Sequence, residues 1–369
     1  MPVSPPIRVL HCIHSLSGGG AEKQLRILAE ESASQAMISG IFCVNDNGND
    51  IQNATVRIYR SSHATKYNLS IFRSLNAAID DFSPDMLHAW LPGCVTIPAM
   101  ALALKNQLPC VFSYRVAMMF NRPLAVIEYG MALFAASQIV TNNSVAQSNA
   151  AYRFLYRWKR GVHIRNAVPL LAEYQKTAVR RPTDQLRTVL FVGRITQQKN
   201  WPCLLRAIPW INSSCRVQVI VCGDGEERTQ FLALADQLNV RGQVQYLGYQ
   251  PHVYPIMQSC DMLALPSWFE GMPNVFLEAL QVGLPSIVSD IPAHRDIIRD
   301  SGCALLFDPA DPKKLADCIS FLCQNPTAAQ KLAEKGRAVA AGYLPERMTR
   351  EYYELYARML ERQLKKPHS

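Results

Sequence analysis

Two stretches of this chain open in the same way, and that repetition limits the folds open to it. Ile7 to Ile13 is a buried-strand run, followed by Ser15-Leu16-Ser17-Gly18-Gly19-Gly20-Ala21-Glu22 and an amphipathic segment from Lys23 to Ser32. The order restarts near Thr188. There Val189-Leu190-Phe191-Val192 reads as a strand and runs into Gly193-Arg194-Ile195-Thr196-Gln197-Gln198-Lys199-Asn200. Strand, glycine loop and helix in that order open a doubly wound α/β domain. Further strands are predicted at Arg216 to Cys222, Val244 to Leu247 and Met262 to Leu265. A chain of 369 residues also exceeds what one hydrophobic core usually supports. The expected architecture is therefore α/β, with two tandem Rossmann-like parallel-sheet domains and an interdomain cleft. The expected boundaries are an N-terminal domain over 1–170, a polar linker over 171–187, a C-terminal domain over 188–345, and a helix over 346–369. In that helix Tyr352, Tyr353, Leu355, Tyr356 and Leu360 recur at helical spacing, which predicts a core-packing face turned back on the N-terminal domain.

The densest chemistry lies in Glu270-Gly271-Met272-Pro273-Asn274-Val275-Phe276-Leu277-Glu278. A short apolar strand ending at Pro266 precedes it, and Val275 to Val282 reads as a helix closed by Gly283 and Pro285. A helix N-terminus presents free N–H groups and about half a positive charge, so it suits a phosphate. Glu270 before the helix and Glu278 within it can accept hydrogen bonds from hydroxyls beside that phosphate. A phosphate flanked by hydroxyls is a sugar nucleotide.

Four motifs in order resemble the family 4 glycosyltransferases, retaining enzymes built from two Rossmann-like domains (the GT-B type). They are Gly18-Gly19-Gly20-Ala21-Glu22, Gly193-Arg194 with Lys199-Asn200, Gly223-Asp224-Gly225-Glu226, and Glu270 to Glu278 with Gly283-Leu284-Pro285. The resemblance covers nearly the whole chain. It implies that Arg194 and Lys199 grip the donor diphosphate, and two cations there stabilise the charge that develops on the departing oxygen. It implies that Asn274 and Val275 offer backbone N–H groups to the distal phosphate, that Glu270 holds the transferred sugar, and that Glu278 holds the ribose. Gly19, Gly20, Gly193, Gly225, Gly271 and Met272 would line the substrate, and Tyr246, Gly248 and Tyr249 would lodge the base. Relatives often place a histidine of the N-terminal domain near the anomeric carbon. Two positions here are candidates: His88, in Leu87-His88-Ala89-Trp90, and Arg115, which stands where relatives often have His.

Cofactor and metal are both expected to be absent, because no Asp-x-Asp and no clustered His/Cys/Asp set occurs in the sequence. The expected donor is a nucleoside-diphosphate sugar, UDP first and GDP second on family frequency. The expected acceptor is a lipid-linked or growing glycan in bacterial surface polysaccharide assembly. An epimerase or phosphorylase of the same architecture is the competing enzyme reading. A nicotinamide dehydrogenase needs Gly-x-Gly-x-x-Gly after the first strand, and Gly18-Gly19-Gly20 lacks that spacing.

The net charge of +9 is uneven: from Tyr114 to Arg165 seven basic residues face one acid, Glu128. Within this stretch Tyr152-Arg153-Phe154-Leu155-Tyr156-Arg157-Trp158-Lys159-Arg160 interleaves aromatics with cations. That composition suits an anionic membrane surface; it also fits a solvated helix with its aromatics in the core, or a basic nucleic-acid binder. No nucleic-acid reader motif is present, and the lipid-linked acceptor that the resemblance implies makes the inner face of the cytoplasmic membrane, bound peripherally, the expected partner. The start of the chain lacks the basic and apolar regions of a signal peptide, and the apolar run Cys94 to Leu104 is too short to span a bilayer. The eleven scattered cysteines read as buried reduced thiols, in keeping with a cytoplasmic location.

Overall fold

The computed structural model describes residues 5–16, 19–45, 56–61, 69–115, 127, 130–132, 134–142, 150–159, 161–169 and 186–365. Gly18, Arg122, Glu128, Arg160, the side chain of Tyr152 and nearly all of the 171–187 linker lie outside the described residues. The chain divides into two compact units, one of residues 1–167 with 345–369 and the other of residues 168–344.

In the first unit the strands are β1 (Ile7–Ser15), β2 (Met37–Asn45), β3 (Arg57–Arg60), β4 (Met86–Trp90), β5 (Cys110–Tyr114), β6 (Gln138–Thr141) and β7 (Val162–His163). They form one all-parallel sheet in the order β3-β2-β1-β4-β5-β6-β7. Alternate residues of each strand serve opposite faces. Leu10, Cys12, Phe42 and Val44 pack against the helices Ser70–Phe82 and Thr96–Lys105. Val9, Ile13, Ile41 and Cys43 pack with the helices Gly20–Glu31 and Pro345–Leu364.

The final helix buries Met348, Tyr352, Leu355, Tyr356 and Met359, a stripe at helical spacing, and contacts the helix Gly20–Glu31 of the first unit. Polar groups fix its register. His88 is fully buried in β4, with Nδ1 2.7 Å from the Tyr356 hydroxyl and Nε2 2.7 Å from Ser113 Oγ. The Arg115 guanidinium lies 4.2 Å over the Trp90 ring and donates to Asn166 Oδ1 (2.9 Å) and to the Tyr352 hydroxyl.

In the second unit the strands are β8 (Arg187–Val192), β9 (Val217–Cys222), β10 (Val244–Gly248), β11 (Met262–Leu265), β12 (Ser286–Ser289) and β13 (Leu305–Phe307). They too form an all-parallel sheet, in the order β10-β9-β8-β11-β12-β13. In each sheet the first strand is central and its two neighbours connect in opposite directions. Beyond the carboxyl ends at such a reversal lies a crevice that open α/β sheets use for ligands. In this sheet that position falls between β8 and β11. The architecture is thus the two-Rossmann-like α/β arrangement expected from the repeated opening.

Candidate functional site

The loop after β8 reaches the loop after β11 through three specific contacts. Asn200 adopts a left-handed backbone (φ 49°) and donates through Nδ2 to the carbonyls of Pro266 (3.0 Å) and Pro309 (2.8 Å). Gln198 accepts from the Trp268 N–H (3.0 Å) and donates through Nε2 to the Phe269 carbonyl (3.0 Å). Lys199 lies between these two anchors, and its Nζ stands 2.6 Å from Glu270 Oε1. The pairing expected only as shared membership of a site is a direct ion pair.

Glu270 is buried, with 7% of its surface exposed. Burial by itself would raise its pKa. The Lys199 charge and the hydrogen bonds from Lys199 and Ser267 outweigh it, and the carboxyl titrates below its usual range. Both donors, Lys199 Nζ and Ser267 Oγ (2.7 Å), use Oε1. Arg194 lies five residues before Lys199 and is exposed; no described residue forms an ion pair with its guanidinium.

The loops after β8, β9 and β10 lie against one another backbone to backbone. Gly193 N–H donates to the Cys222 carbonyl (3.0 Å), Ile195 N–H to that of Asp224 (3.1 Å), and Gly223 N–H to that of Gly248 (2.7 Å). No side chain fits between them. A Cβ on Gly223 (φ +150°) would sit 1.9 Å from the Gly193 carbonyl oxygen, and one on Gly225 would sit 2.4 Å from that of Ile195. Gly193 itself lies under the methylenes of Lys199, 3.3 Å from where its Cβ would be. Tyr246 donates its hydroxyl to Asp224 (2.9 Å), and Arg228 lies over its ring at 5.2 Å. Tyr249 is exposed.

The helix Asn274–Val282 begins after Pro273 with no side-chain cap; the N–H groups of Phe276 (3.0 Å) and Leu277 (3.3 Å) bond the Pro273 carbonyl. Gly271, Met272 and Val275 are half-buried around its start, and Asn274 is buried. Glu278 is also buried, close enough to Tyr254 to help burial push that phenol upward. The helix ends at Gly283 in a left-handed turn (φ 79°), where Leu284 N–H returns to the Ala279 carbonyl at 2.8 Å.

Gly19 and Gly20 belong to the other unit, at the start of the helix after β1. The two acceptor-side candidates are corrected by the structure. His88 does not face a substrate: it is fully buried, both ring nitrogens are engaged, and burial holds its pKa far below the usual value. Arg115 is likewise buried against Trp90. Both residues hold the final helix on the sheet. At the carboxyl ends of β1 and β4, where the first sheet reverses, stands a histidine that sequence reasoning passed over. His14 is half-buried, with Nδ1 3.1 Å from Cys94 Sγ. Gln198, Ser267, Ser289 and His294 were also missed, and Asn200, part of the Lys199-Asn200 motif, had been given no role. Only Ser267, three residues before a carboxylate, carried a sequence signal.

Comparison with known proteins agrees with this geometry. The family "Glycosyl transferases group 1" matches residues 175–339, which hold the Lys199–Glu270 pair and the helix behind it. The lipopolysaccharide core biosynthesis glycosyltransferase LpsD of Rhizobium meliloti is 25% identical over 293 residues, 77% of this chain and 78% of LpsD. LpsE of the same organism, also a lipopolysaccharide core biosynthesis glycosyltransferase, is 28% identical over 170 residues, 46% of this chain and 49% of LpsE. For most of the curated relatives, the match spans about half of the relative's length or less. Among solved structures, Anabaena HepE in complex with UDP and glucose shares the fold, with a TM-score of 0.79 at 16% identity over 95% of this chain and 100% of that one. WaaG, a glycosyltransferase involved in lipopolysaccharide biosynthesis, shares it with a TM-score of 0.69 at 16% identity over 97% and 100%. With two Rossmann-like domains, and with three of the four motifs assembled at the reversal of the second sheet, the chain has the GT-B fold and carries a glycosyl transferases group 1 domain over residues 175–339.

Proposed function

We propose that this glycosyltransferase transfers a sugar from a nucleoside-diphosphate sugar, with UDP as the nucleotide, to a lipid-linked or growing glycan acceptor, retaining the anomeric configuration and using no metal. The observation that carries the reading is the Lys199–Glu270 pair at 2.6 Å, with an uncapped helix beginning shortly after Glu270 and an exposed Arg194 in the same loop as Lys199. Lys199 and Arg194 supply the positive charge that the departing diphosphate requires, and the N-terminus of Asn274–Val282 receives the distal phosphate. Glu270 accepts from the transferred sugar and Glu278 from the ribose. Because two side-chain cations face the diphosphate, leaving-group charge is met without a metal bridge. The relatives' part in lipopolysaccharide core biosynthesis supports placing the reaction in the assembly of bacterial surface polysaccharide.

A thermal-shift panel with UDP, GDP, ADP and dTDP tests the nucleotide. UDP at 100 times its dissociation constant is expected to stabilise the protein by about 2.7 kcal/mol. That shift should survive EDTA and shrink in Glu278→Ala. A larger shift with GDP, or one lost to EDTA and restored by magnesium, would reverse the donor or the metal assignment.

The acceptor side is proposed to work at an anionic membrane face. On the helix Ala150–Trp158, Phe154 and Trp158 are exposed and stacked at 5.8 Å, with Arg153 and Arg157 also exposed. No helix among the described residues is long and apolar enough to cross a bilayer. Binding is therefore peripheral, through aromatics at headgroup depth and cations screened over about 8 Å at physiological salt. The protein is expected to cosediment with vesicles rich in anionic lipid at low salt and to be released at high salt. Replacing Phe154, Trp158, Arg153 and Arg157 by Ser should abolish cosedimentation and leave the UDP shift unchanged. Equal cosedimentation of wild type and variant would remove the patch from the account.

A further inference from the structure

Behind Glu270 runs a line of buried hydrogen bonds that no role yet uses. His294 Nδ1 lies 2.7 Å from the Ser289 carbonyl oxygen, so that nitrogen carries the proton and donates it. Ser289 Oγ donates to the Ser267 carbonyl at 2.6 Å, and Ser267 Oγ donates to Glu270 Oε1 at 2.7 Å. Ser267, Ser289 and His294 are each fully buried. They come from the loop after β11, the end of β12 and the helix Pro292–Ile298. Two of the three acceptors in the line are carbonyl oxygens, which cannot pass a proton on. The line is a brace, not a proton relay.

The brace fixes which carboxylate oxygen meets the substrate. Lys199 Nζ and Ser267 Oγ both take Oε1, and Oε2 has no partner among the described residues. The side chain nevertheless keeps a small open surface, 7% of its extent. A carboxylate held by two donors on one oxygen cannot rotate about its last torsion without losing both. We propose that Ser267, fixed in turn by Ser289, is a positioning residue that holds Glu270 so that Oε2 alone faces a hydroxyl of the donor sugar. The inference rests on the reading of Glu270 as the sugar-facing carboxylate.

Three variants separate the brace from that reading: Ser267→Ala, Ser289→Ala and Glu270→Gln. Ser267→Ala removes one donor without adding volume. It should lower kcat about tenfold to hundredfold, as expected for a lost hydrogen bond to a charged group, while the dissociation constant for UDP stays within about twofold. The carboxyl of Glu270, followed by carbon-13 NMR titration of the ligand-free protein, should titrate at higher pH in Ser267→Ala, because a donor to its ionised form is gone. Ser289→Ala should move both readouts in the same direction by less. Turnover is read as release of UDP from UDP-glucose, UDP-galactose or UDP-N-acetylglucosamine, whichever the wild type uses fastest. An unchanged kcat and an unchanged Glu270 titration in Ser267→Ala, beside an impaired Glu270→Gln, would overturn the brace alone. A Glu270→Gln enzyme with wild-type turnover would overturn the sugar-facing reading, and the brace with it.

Discussion

Arg194→Ala and Lys199→Ala should each lower turnover by two to three orders of magnitude, on the order of 3–4 kcal/mol of transition-state stabilisation. The two changes should be less than additive, because both act on one diphosphate. They should differ in what else they do. Arg194 is exposed and has no ion-pair partner among the described residues, so its loss should leave stability nearly untouched. Lys199 is different. Its side chain is only 17% exposed, and its ammonium neutralises a Glu270 whose side chain is 7% exposed. Removing one partner of such a pair costs roughly 3–5 kcal/mol, mostly through the buried charge left behind.

The pH dependence of the pair follows from the direction of the Glu270 shift. In the folded protein the carboxyl titrates below its usual value, so it adds stability above the unfolded-state pKa of about 4.3. That contribution is lost as pH falls through the folded value. Without Lys199, burial raises the carboxyl instead, and the sign reverses: Lys199→Ala should lose stability as pH rises above about 4.3. Urea unfolding at a series of pH values reads this directly. A Lys199→Ala protein with wild-type stability at neutral pH and wild-type turnover would place the leaving-group cation elsewhere.

Gly223→Ala should be the most damaging single-methyl change in the second domain. The new Cβ falls 1.9 Å from the Gly193 carbonyl oxygen, a backbone atom that no rotamer change can move aside. The residue also sits at φ +150°, a conformation that L side chains rarely adopt. Overpacking and backbone strain each cost about 1–3 kcal/mol. The structure relaxes by parting the loops after β8 and β9, and the first of these carries Lys199. Both a lower urea midpoint and a weaker UDP shift are therefore expected. Gly242→Ala is the control, since nothing lies within 4 Å of a Cβ there. Equal stability and equal UDP shifts for the two variants would show that the loops do not depend on close backbone contact.

Much of the fold was legible because a parallel sheet covered on both faces leaves a strong local trace. Val189 to Val192 and Met262 to Leu265 are apolar at successive positions, and the structure makes them the adjoining strands β8 and β11. The Gly283 stop likewise ends its helix where the sequence placed it. Residue types also marked where charge would gather, since Arg194, Lys199, Glu270 and Glu278 stand in loops and helix starts that follow strands.

Sequence could not say which of these side chains touch. Lys199 and Glu270 are 71 residues apart, and their contact depends on strand order, which puts β11 beside β8. Asn200 then closes it with two hydrogen bonds to distant carbonyls. The same cause misled the reading of His88 and Arg115. As residues of one local stretch they resemble groups facing a substrate. The final helix, more than two hundred positions away, supplies the Tyr356 and Tyr352 hydroxyls that turn them into core. Local pattern follows from propensity and periodicity, which neighbouring residues determine. The identity of a buried polar group's partner is a long-range fact, because a buried donor or acceptor bonds whatever the topology brings to it.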